Sequence, residues 1–170
     1  IYKGQLRKFN VCLANPPYGN EWKDAKLEVE NEHQKGPQGR FAAGLPRIND
    51  GQLLFVQHFI SKLRDDEQGG RLGIVLNGSP LFTGNAGSGE SEIRKWIIEN
   101  DWLETIVQLP DSMFFNTGIT TYIWIVTNKK SSDRKGKVQL IDGTSFSTSM
   151  KKNLGDKGKY ISDEQISELL

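Results

Sequence analysis

The sequence has little cysteine and no long hydrophobic run. Its single cysteine excludes a disulfide framework and a cysteine-based zinc site, and is typical of a reducing cytoplasm. No apolar stretch approaches the roughly 20 residues that cross a bilayer, so neither a membrane span nor a membrane partner is predicted. Residues 1–4 have no initiator methionine and do not resemble a signal peptide. We therefore expect a piece of a longer cytoplasmic protein.

An excess of one charge sign is also missing. The 22 basic and 21 acidic residues leave a net charge of +1, whereas domains that grip nucleic acid usually carry a basic excess. If the protein acts on DNA, most of the grip on phosphate must come from elsewhere. His33 and His58 lie far apart, without carboxylate or cysteine partners at ligand spacing, so no metal site is predicted.

Hydrophobic patterning predicts a sheet with helices between its strands. Strand, helix, strand, helix, strand, strand is the order of an α/β sheet with a parallel body and an antiparallel edge hairpin. The opening elements of such a fold are missing. In chain order the predicted elements are a buried strand at 9–14, a helix from Asn49 or Asp50 to about 66, a strand buried on both faces at 71–76, a helix at 88–100, and strands at 103–109 and 119–127.

Two stretches show no clear periodicity. Residues 19–49 are charged and then rich in glycine and proline. Their place beside Tyr18 suggests a lid over the substrate, and plain disorder is the alternative. After residue 128 the sequence predicts one strand at 138–141, an irregular segment at 145–160 and a capped helix start at Ser162.

Lysine and arginine residues cluster twice in this last part of the chain. Such clusters contact DNA phosphate or a partner, or they are simply solvated. The first cluster occupies residues 129–137, and the second consists of Lys151, Lys152, Lys157 and Lys159.

The residues with the strongest chemical signal are Asn15-Pro16-Pro17-Tyr18, directly after the first predicted strand. Ligands of open α/β sheets lie outside the carboxyl ends of the strands. The prolines stiffen the turn, so the side-chain oxygen of Asn15 and the carbonyl of Pro16 can form paired acceptors for a planar amino group. Tyr18 offers a flat ring for stacking. An ordinary strand-ending turn is the alternative.

This tetrapeptide resembles the signature of amino-methyltransferases that use S-adenosyl-L-methionine. They include DNA adenine-N6, DNA cytosine-N4 and protein glutamine-N5 enzymes. Further blocks, in the same order, are similar to the modification (methyltransferase, M) subunit of type I restriction-modification systems, in the N6-adenine DNA methylase family. The resemblance extends over residues 9–160. Its blocks are Arg40-Phe41, Gly44-Leu45-Pro46, 50–55, Gln57-His58, Asn77-Gly78-Ser79, 81–84, 93–96, Leu109-Pro110 and 115–118.

The resemblance implies a fold, a cofactor and partners. The fold is the second half of a Rossmann-like methyltransferase, with residues 1–128 as the target-base side of the catalytic domain and residues 129–170 as a basic extension. The cofactor is S-adenosyl-L-methionine. The family's glycine-rich loop and ribose-binding acidic residue precede the tetrapeptide and are absent here, so we expect the fragment alone to be inactive. The partners are DNA, a specificity subunit and a restriction subunit.

The resemblance also implies residue roles. A target adenine flips out of the duplex, and its N6 amino group donates hydrogen bonds to Asn15 and to the Pro16 carbonyl. Tyr18 stacks on the base. Pro17 and Phe115 contact the substrate, with Phe115 (beside Phe114) at the family position that walls the other side. Asn15 also contacts the cofactor.

Two alternatives remain open. Because the tetrapeptide is shared among acceptor classes, the substrate could be a protein glutamine amide or an RNA base. A non-catalytic interaction module that keeps the sheet for docking is the other alternative.

Overall fold

A computed structural model describes residues 7–169 of the chain. Its centre is a five-stranded sheet with the strand order β1-β2-β4-β3-β5, and a separate two-stranded hairpin consists of β6 and β7. Strands β1, β2, β3 and β5 run parallel, and β4 runs antiparallel. In chain order the strands are β1 (Val11–Ala14), β2 (Arg71–Asn77), β3 (Leu103–Gln108), β4 (Thr121–Thr127), β5 (Gln139–Asp142), β6 (Thr148–Leu154) and β7 (Lys157–Tyr160).

The helices include both amphipathic helices that the sequence predicts. The first of these begins at Gln52, whose amide donates to Asp50 Oδ1 (3.1 Å), and it is shorter than predicted because it ends at Ile60 and not near residue 66. The second begins after Ser88, whose side chain caps its first turn as predicted. In chain order the helices are α1 (Lys26–Gln34), α2 (Gln52–Ile60), α3 (Ser79–Phe82), α4 (Gly89–Glu99) and α5 (Asp163–Leu169), with 3₁₀ turns at Lys23–Ala25 and Gly36–Gln38.

The main core lies on one face of the sheet. The crossovers through α2 and α4 step in the same direction across the sheet, so right-handed connections place both helices on the same face. Leu72, Ile74 and Leu76 alternate toward this face and are fully buried. Trp124 of β4 pairs with Ile74 and is 1% exposed.

The opposite face of the sheet is more exposed than the sequence predicts. Val11 and Leu13 of β1 are 63% and 81% exposed, and Gly73 and Val75 of β2 are half-buried. Among residues 7–169, these two strands are therefore buried on one face only. The prediction of fully buried strands is wrong because neither crossover helix lies on the opposite face.

The antiparallel hairpin of β3 and β4 is confirmed. However, β4 lies between β2 and β3, and β5 joins β3 in parallel. The antiparallel strand is thus inside the sheet, and β5, from the basic extension, is one of its two edge strands. We use the term carboxyl edge for the side of the sheet where the parallel strands end, and amino edge for the side where they begin.

The segment 19–49 is folded, so the alternative of plain disorder is wrong. Its Trp22 and Phe41 form a small core with Leu54 of α2, and the Trp22 indole donates a hydrogen bond to the Arg47 carbonyl (2.9 Å). The sequence pattern hides α1 because only one of its side chains is buried. A lid role for the segment stays a prediction.

Two carboxylates stabilise this segment. Glu32 accepts hydrogen bonds from the Lys35 ammonium (2.6 Å) and from the amide and guanidinium of Arg40 (3.1 and 3.2 Å), which lower its pKa to about 2. Glu90 accepts from the amide and guanidinium of Arg47 (2.9 and 3.0 Å). Burial by itself would raise the pKa of Glu90, but these bonds outweigh it and the pKa is lowered.

The last part of the chain contains more structure than predicted. Residues 148–160, expected to be irregular, form the hairpin of β6 and β7. The predicted cap of the final helix is confirmed, because Ser162 and Gln165 exchange side-chain to backbone hydrogen bonds. Within the described residues, no helix combines the length and apolar character that a membrane crossing needs.

Candidate functional site

The tetrapeptide Asn15-Pro16-Pro17-Tyr18 lies at the carboxyl edge, directly after β1, as predicted. Pro16 is buried, Tyr18 is half-buried, and Asn15 and Pro17 are exposed. The Tyr18 hydroxyl donates a hydrogen bond to Asn15 Oδ1 (2.9 Å). Since an amide oxygen has two lone pairs, Oδ1 can accept from a second donor while Tyr18 holds its orientation.

The protonation of Tyr18 supports this role. Burial raises the pKa of its phenol above the ordinary value. The hydroxyl therefore keeps its proton at neutral pH and remains a hydrogen-bond donor to Asn15. The donor and the ring belong to one side chain, so the packing of the ring on Phe114 also fixes the hydroxyl that orients the amide.

The loop at 109–120, between β3 and β4, reaches the tetrapeptide at the same edge. Phe114 packs edge-to-face on Tyr18, with ring centroids 6.2 Å apart and an interplanar angle of 78°. Phe115 is 61% exposed, and the Lys157 ammonium lies 5.4 Å from its ring centroid. The structure therefore brings Phe114 to Tyr18, and it directs Phe115 toward the β6–β7 hairpin.

A buried amide that the sequence analysis missed connects this edge to α2. Gln52 is 1% exposed. Its Nε2 donates to Asp50 Oδ1 (3.0 Å) and to Asn77 Oδ1 (2.8 Å), and its Oε1 accepts from the Asn77 amide (3.0 Å). The neighbouring Gly51 amide donates to the Asn20 carbonyl (3.0 Å). The ends of β2 and of the tetrapeptide loop are thus joined to the start of α2.

The signal for this network was present only in part. Asp50 and Gln52 stand together at a predicted helix start, but Asn77 lies 25 residues from Gln52 along the chain. Nothing local indicates that these two side chains meet.

A cavity of about 430 Å³ lies beside Pro17, between the segment 19–49 and α2. Its walls include Trp22, Phe41, Leu54, Phe55 and His58, and they are mainly apolar. Such walls suit a flat ring or a hydrocarbon better than a phosphate.

His58 is a hydrogen-bond acceptor in this wall. The Arg40 guanidinium lies 3.0 Å from its Nδ1. Burial, and then the positive charges of Arg40 and Lys62, lower the pKa of the imidazole. The ring is therefore neutral, and it belongs to the packing of the segment 19–49 on α2.

Comparison with known proteins identifies relatives across almost the whole chain. A family model described as N-6 DNA Methylase matches residues 2–170. The chain is 33% identical over 138 residues to the type I restriction enzyme HindI methylase subunit of Haemophilus influenzae, covering 80% of this chain and 28% of the relative. It is 26% identical over 163 residues to the MjaIX methylase subunit of Methanocaldococcus jannaschii, covering 95% and 27%. The chain thus spans about a quarter of these relatives.

The fold agrees with a solved structure of the same kind. The methyltransferase subunit of a type I restriction-modification system from Streptococcus thermophilus superposes with a TM-score of 0.75 and 26% identity, over 98% of this chain and 32% of that one. This likeness confirms the predicted methyltransferase fold class. Together with the match to the family model, it shows that the chain belongs to the N-6 DNA methylase family.

Proposed function

We propose that the protein containing this chain transfers a methyl group from S-adenosyl-L-methionine to N6 of adenine in DNA, as the methyltransferase subunit of a type I restriction-modification system. The observation that carries this proposal is the Asn15 amide at the carboxyl edge, exposed and oriented by Tyr18. Membership of the N-6 DNA methylase family supports adenine as the acceptor. The type I methylase subunits among the relatives support the system.

The tetrapeptide would act on the amino group of a flipped adenine. Asn15 Oδ1 and the Pro16 carbonyl accept hydrogen bonds from the two N–H groups of the adenine amino group. These bonds draw the nitrogen lone pair out of conjugation with the ring. The nitrogen is then a better nucleophile and points along the line of attack. This contribution is orientation and charge placement, without a covalent enzyme intermediate.

Aromatic side chains would hold the base during transfer. Tyr18 stacks on one face, and its edge-to-face contact with Phe114 keeps the ring in position. Phe115, turned away from Tyr18, and the exposed Pro17 would line the approach to the site. The base reaches this pocket only out of the stack, as in other enzymes that modify bases.

The described residues fit one part of the cofactor site. S-adenosyl-L-methionine supplies an electrophilic methyl group when bound, and Asn15, beside the reacting amine, is the residue that would contact it. The carboxylate and the ribose of S-adenosyl-L-methionine need several polar partners, which the mainly apolar cavity beside Pro17 does not provide. We propose that residues outside 7–169 bind these groups.

The partners in this proposal are duplex DNA, a specificity subunit that reads the sequence and a restriction subunit that cleaves. The near-neutral net charge of +1 supports a subunit that leaves most of the DNA reading to a partner. An enzyme with this substrate would work in the cytoplasm.

A map of modified bases in genomic DNA, with and without the gene, tests the function. We expect N6-methyladenine to disappear from a two-part recognition sequence when the gene is removed. In the purified intact enzyme, Asn15→Ala should lower the rate of methylation at least 100-fold with little change in DNA affinity, because its acceptor acts on the reacting amine.

Asn20→Ala on the same loop is the matched control. Within the described residues only the main chain of Asn20 makes a hydrogen bond, so we expect nearly unchanged activity. Methyl groups on glutamine or on RNA would show that the acceptor is different. An unchanged map, together with no transfer to any of these acceptors, would favour the non-catalytic module.

A further inference from the structure

The two basic clusters lie at opposite edges of the main sheet. Residues 129–137 follow β4, whose last residue, Thr127, pairs with Arg71 at the start of β2. They are therefore at the amino edge, away from Asn15. The hairpin of β6 and β7 contacts the loop at 109–120 instead, and so lies at the carboxyl edge.

Main-chain hydrogen bonds attach the hairpin to this loop. The Asp156 amide donates to the Phe115 carbonyl (3.1 Å), and the amides of Gly158 and Lys159 donate to the Ser112 carbonyl (3.0 and 3.2 Å). The hairpin is therefore held against the loop by its backbone, independently of its long side chains.

The turn of the hairpin is built for this contact. Gly155 has a φ of +62°, and a Cβ at this position would lie 2.5 Å from the Phe115 carbonyl oxygen. Glycine is required there both by the backbone conformation and by the close approach. The hairpin contacts this loop, and Phe114 of the same loop packs on Tyr18. The loop therefore connects the hairpin to the residue proposed to hold the base.

The hairpin is also strongly basic. Residues 148–160 contain four lysines and one aspartate, whereas the rest of the chain has 18 basic and 20 acidic residues. Lys159 forms an ion pair with Asp111. Within residues 7–169, no carboxylate forms an ion pair with Lys151, Lys152 or Lys157.

At the amino edge, two basic side chains of the first cluster bind groups within the fold. Lys130 pairs with Asp101 at 2.5 Å and donates to the Lys137 carbonyl, and Arg134 donates to the Glu104 carbonyl (3.2 Å). These side chains stabilise the turn after β4. Lys129 and Lys135 form no ion pair within the described residues either, so what distinguishes the lysines of the hairpin is their position at the carboxyl edge.

We propose that the β6–β7 hairpin binds the phosphate backbone of the substrate DNA beside the flipped base, through Lys151, Lys152 and Lys157. The inference rests on the proposed function, since it places the substrate at the carboxyl edge. Phosphate contacts fix the position of a duplex without reading its sequence. They hold the target nucleotide over Tyr18 and leave sequence recognition to another subunit.

Salt dependence of DNA binding by the intact enzyme tests this role. Each phosphate contact makes the slope of log K against log salt concentration more negative by about 0.9. Lys151→Gln with Lys152→Gln should therefore make the slope less negative by about 1.8. At 0.1 M salt this corresponds to roughly 60-fold weaker binding, if the contacts contribute nothing at 1 M. Lys157 is left in place because it also contacts Phe115.

Lys129→Gln with Lys135→Gln is the matched control, since it removes the same charge from exposed lysines at the amino edge. Its slope should equal that of the wild type. An unchanged slope in the hairpin variant, or equal losses in both variants, would overturn the inference. So would loss of the specificity subunit from the complex with an unchanged DNA slope, which would assign the hairpin to a protein partner.

The two proposals fail in different ways. Binding requires no methyl transfer, so the slopes are measurable even in an enzyme that does not methylate adenine. A wild type that shows the hairpin-dependent slope but methylates a different base of DNA would refute the proposed function and support the inference. Normal adenine methylation with equal slopes in all variants would support the proposed function and refute the inference about the hairpin.

Discussion

The two parts of Tyr18 make different contributions, and substitution can separate them. Tyr18→Phe removes the hydroxyl that donates to Asn15 Oδ1 at 2.9 Å, and keeps the ring that packs on Phe114. Tyr18→Ala removes both. The proposed mechanism assigns the hydroxyl to orientation of the catalytic amide, and the ring to capture of the flipped base.

The expected magnitudes follow from these contacts. The hydroxyl bond lies at a solvent-exposed site, so its loss should cost about 1 kcal/mol. That corresponds to a roughly 5-fold slower methyl transfer. Stacking of a base on an aromatic ring is worth about 1–3 kcal/mol. Tyr18→Ala should therefore weaken capture of the base by roughly 5- to 150-fold, in addition to the slower transfer.

The assay uses the intact enzyme and a duplex with a fluorescent base analogue at the target position. Fluorescence reports base flipping, and single-turnover methylation of the natural duplex reports the chemical step. We expect Tyr18→Phe to retain the fluorescence change and to lower only the rate of transfer. Tyr18→Ala should lose most of the fluorescence change.

Two results would refute this reasoning. If Tyr18→Phe lost flipping to the same extent as Tyr18→Ala, the ring would not be what captures the base. If Tyr18→Ala retained the full fluorescence change, Tyr18 would not contact the flipped base at all.

Two further predictions concern stability. Gly155→Ala should destabilise the docked hairpin by at least about 1 kcal/mol more than Gly136→Ala, because both glycines have positive φ but only a Cβ at Gly155 meets a neighbouring carbonyl. Faster hydrogen exchange of the Asp156 amide would measure the loss of docking. Equal effects of the two substitutions would contradict the prediction. The pKa of Glu32 is lowered to about 2 in the folded protein, so its ionised carboxylate should add about 1 kcal/mol to the free energy of unfolding above pH 4.5. This contribution is lost as the pH falls toward 2. Urea unfolding at a series of pH values should show the loss in the wild type but not in Glu32→Gln.

Local patterns were sufficient for much of the fold. The cap at Ser88, the reciprocal cap of Ser162 and Gln165, and the alternation in β2 each involve neighbours within a few residues. The two prolines after β1 likewise indicate the end of a strand, where an α/β sheet places its ligands. Such signals depend on backbone preferences that act over short distances, so the sequence displays them directly.

Other features depended on which segments meet in space. The choice of Phe114 over Phe115 as the neighbour of Tyr18, the contact of Gln52 with Asn77, and the placement of the second lysine cluster at the carboxyl edge all join distant parts of the chain. Sequence periodicity describes which side of an element is apolar, but not which element packs against it. Sheet order and the direction of the crossovers decide that, and they placed one basic cluster at the carboxyl edge and the other at the amino edge.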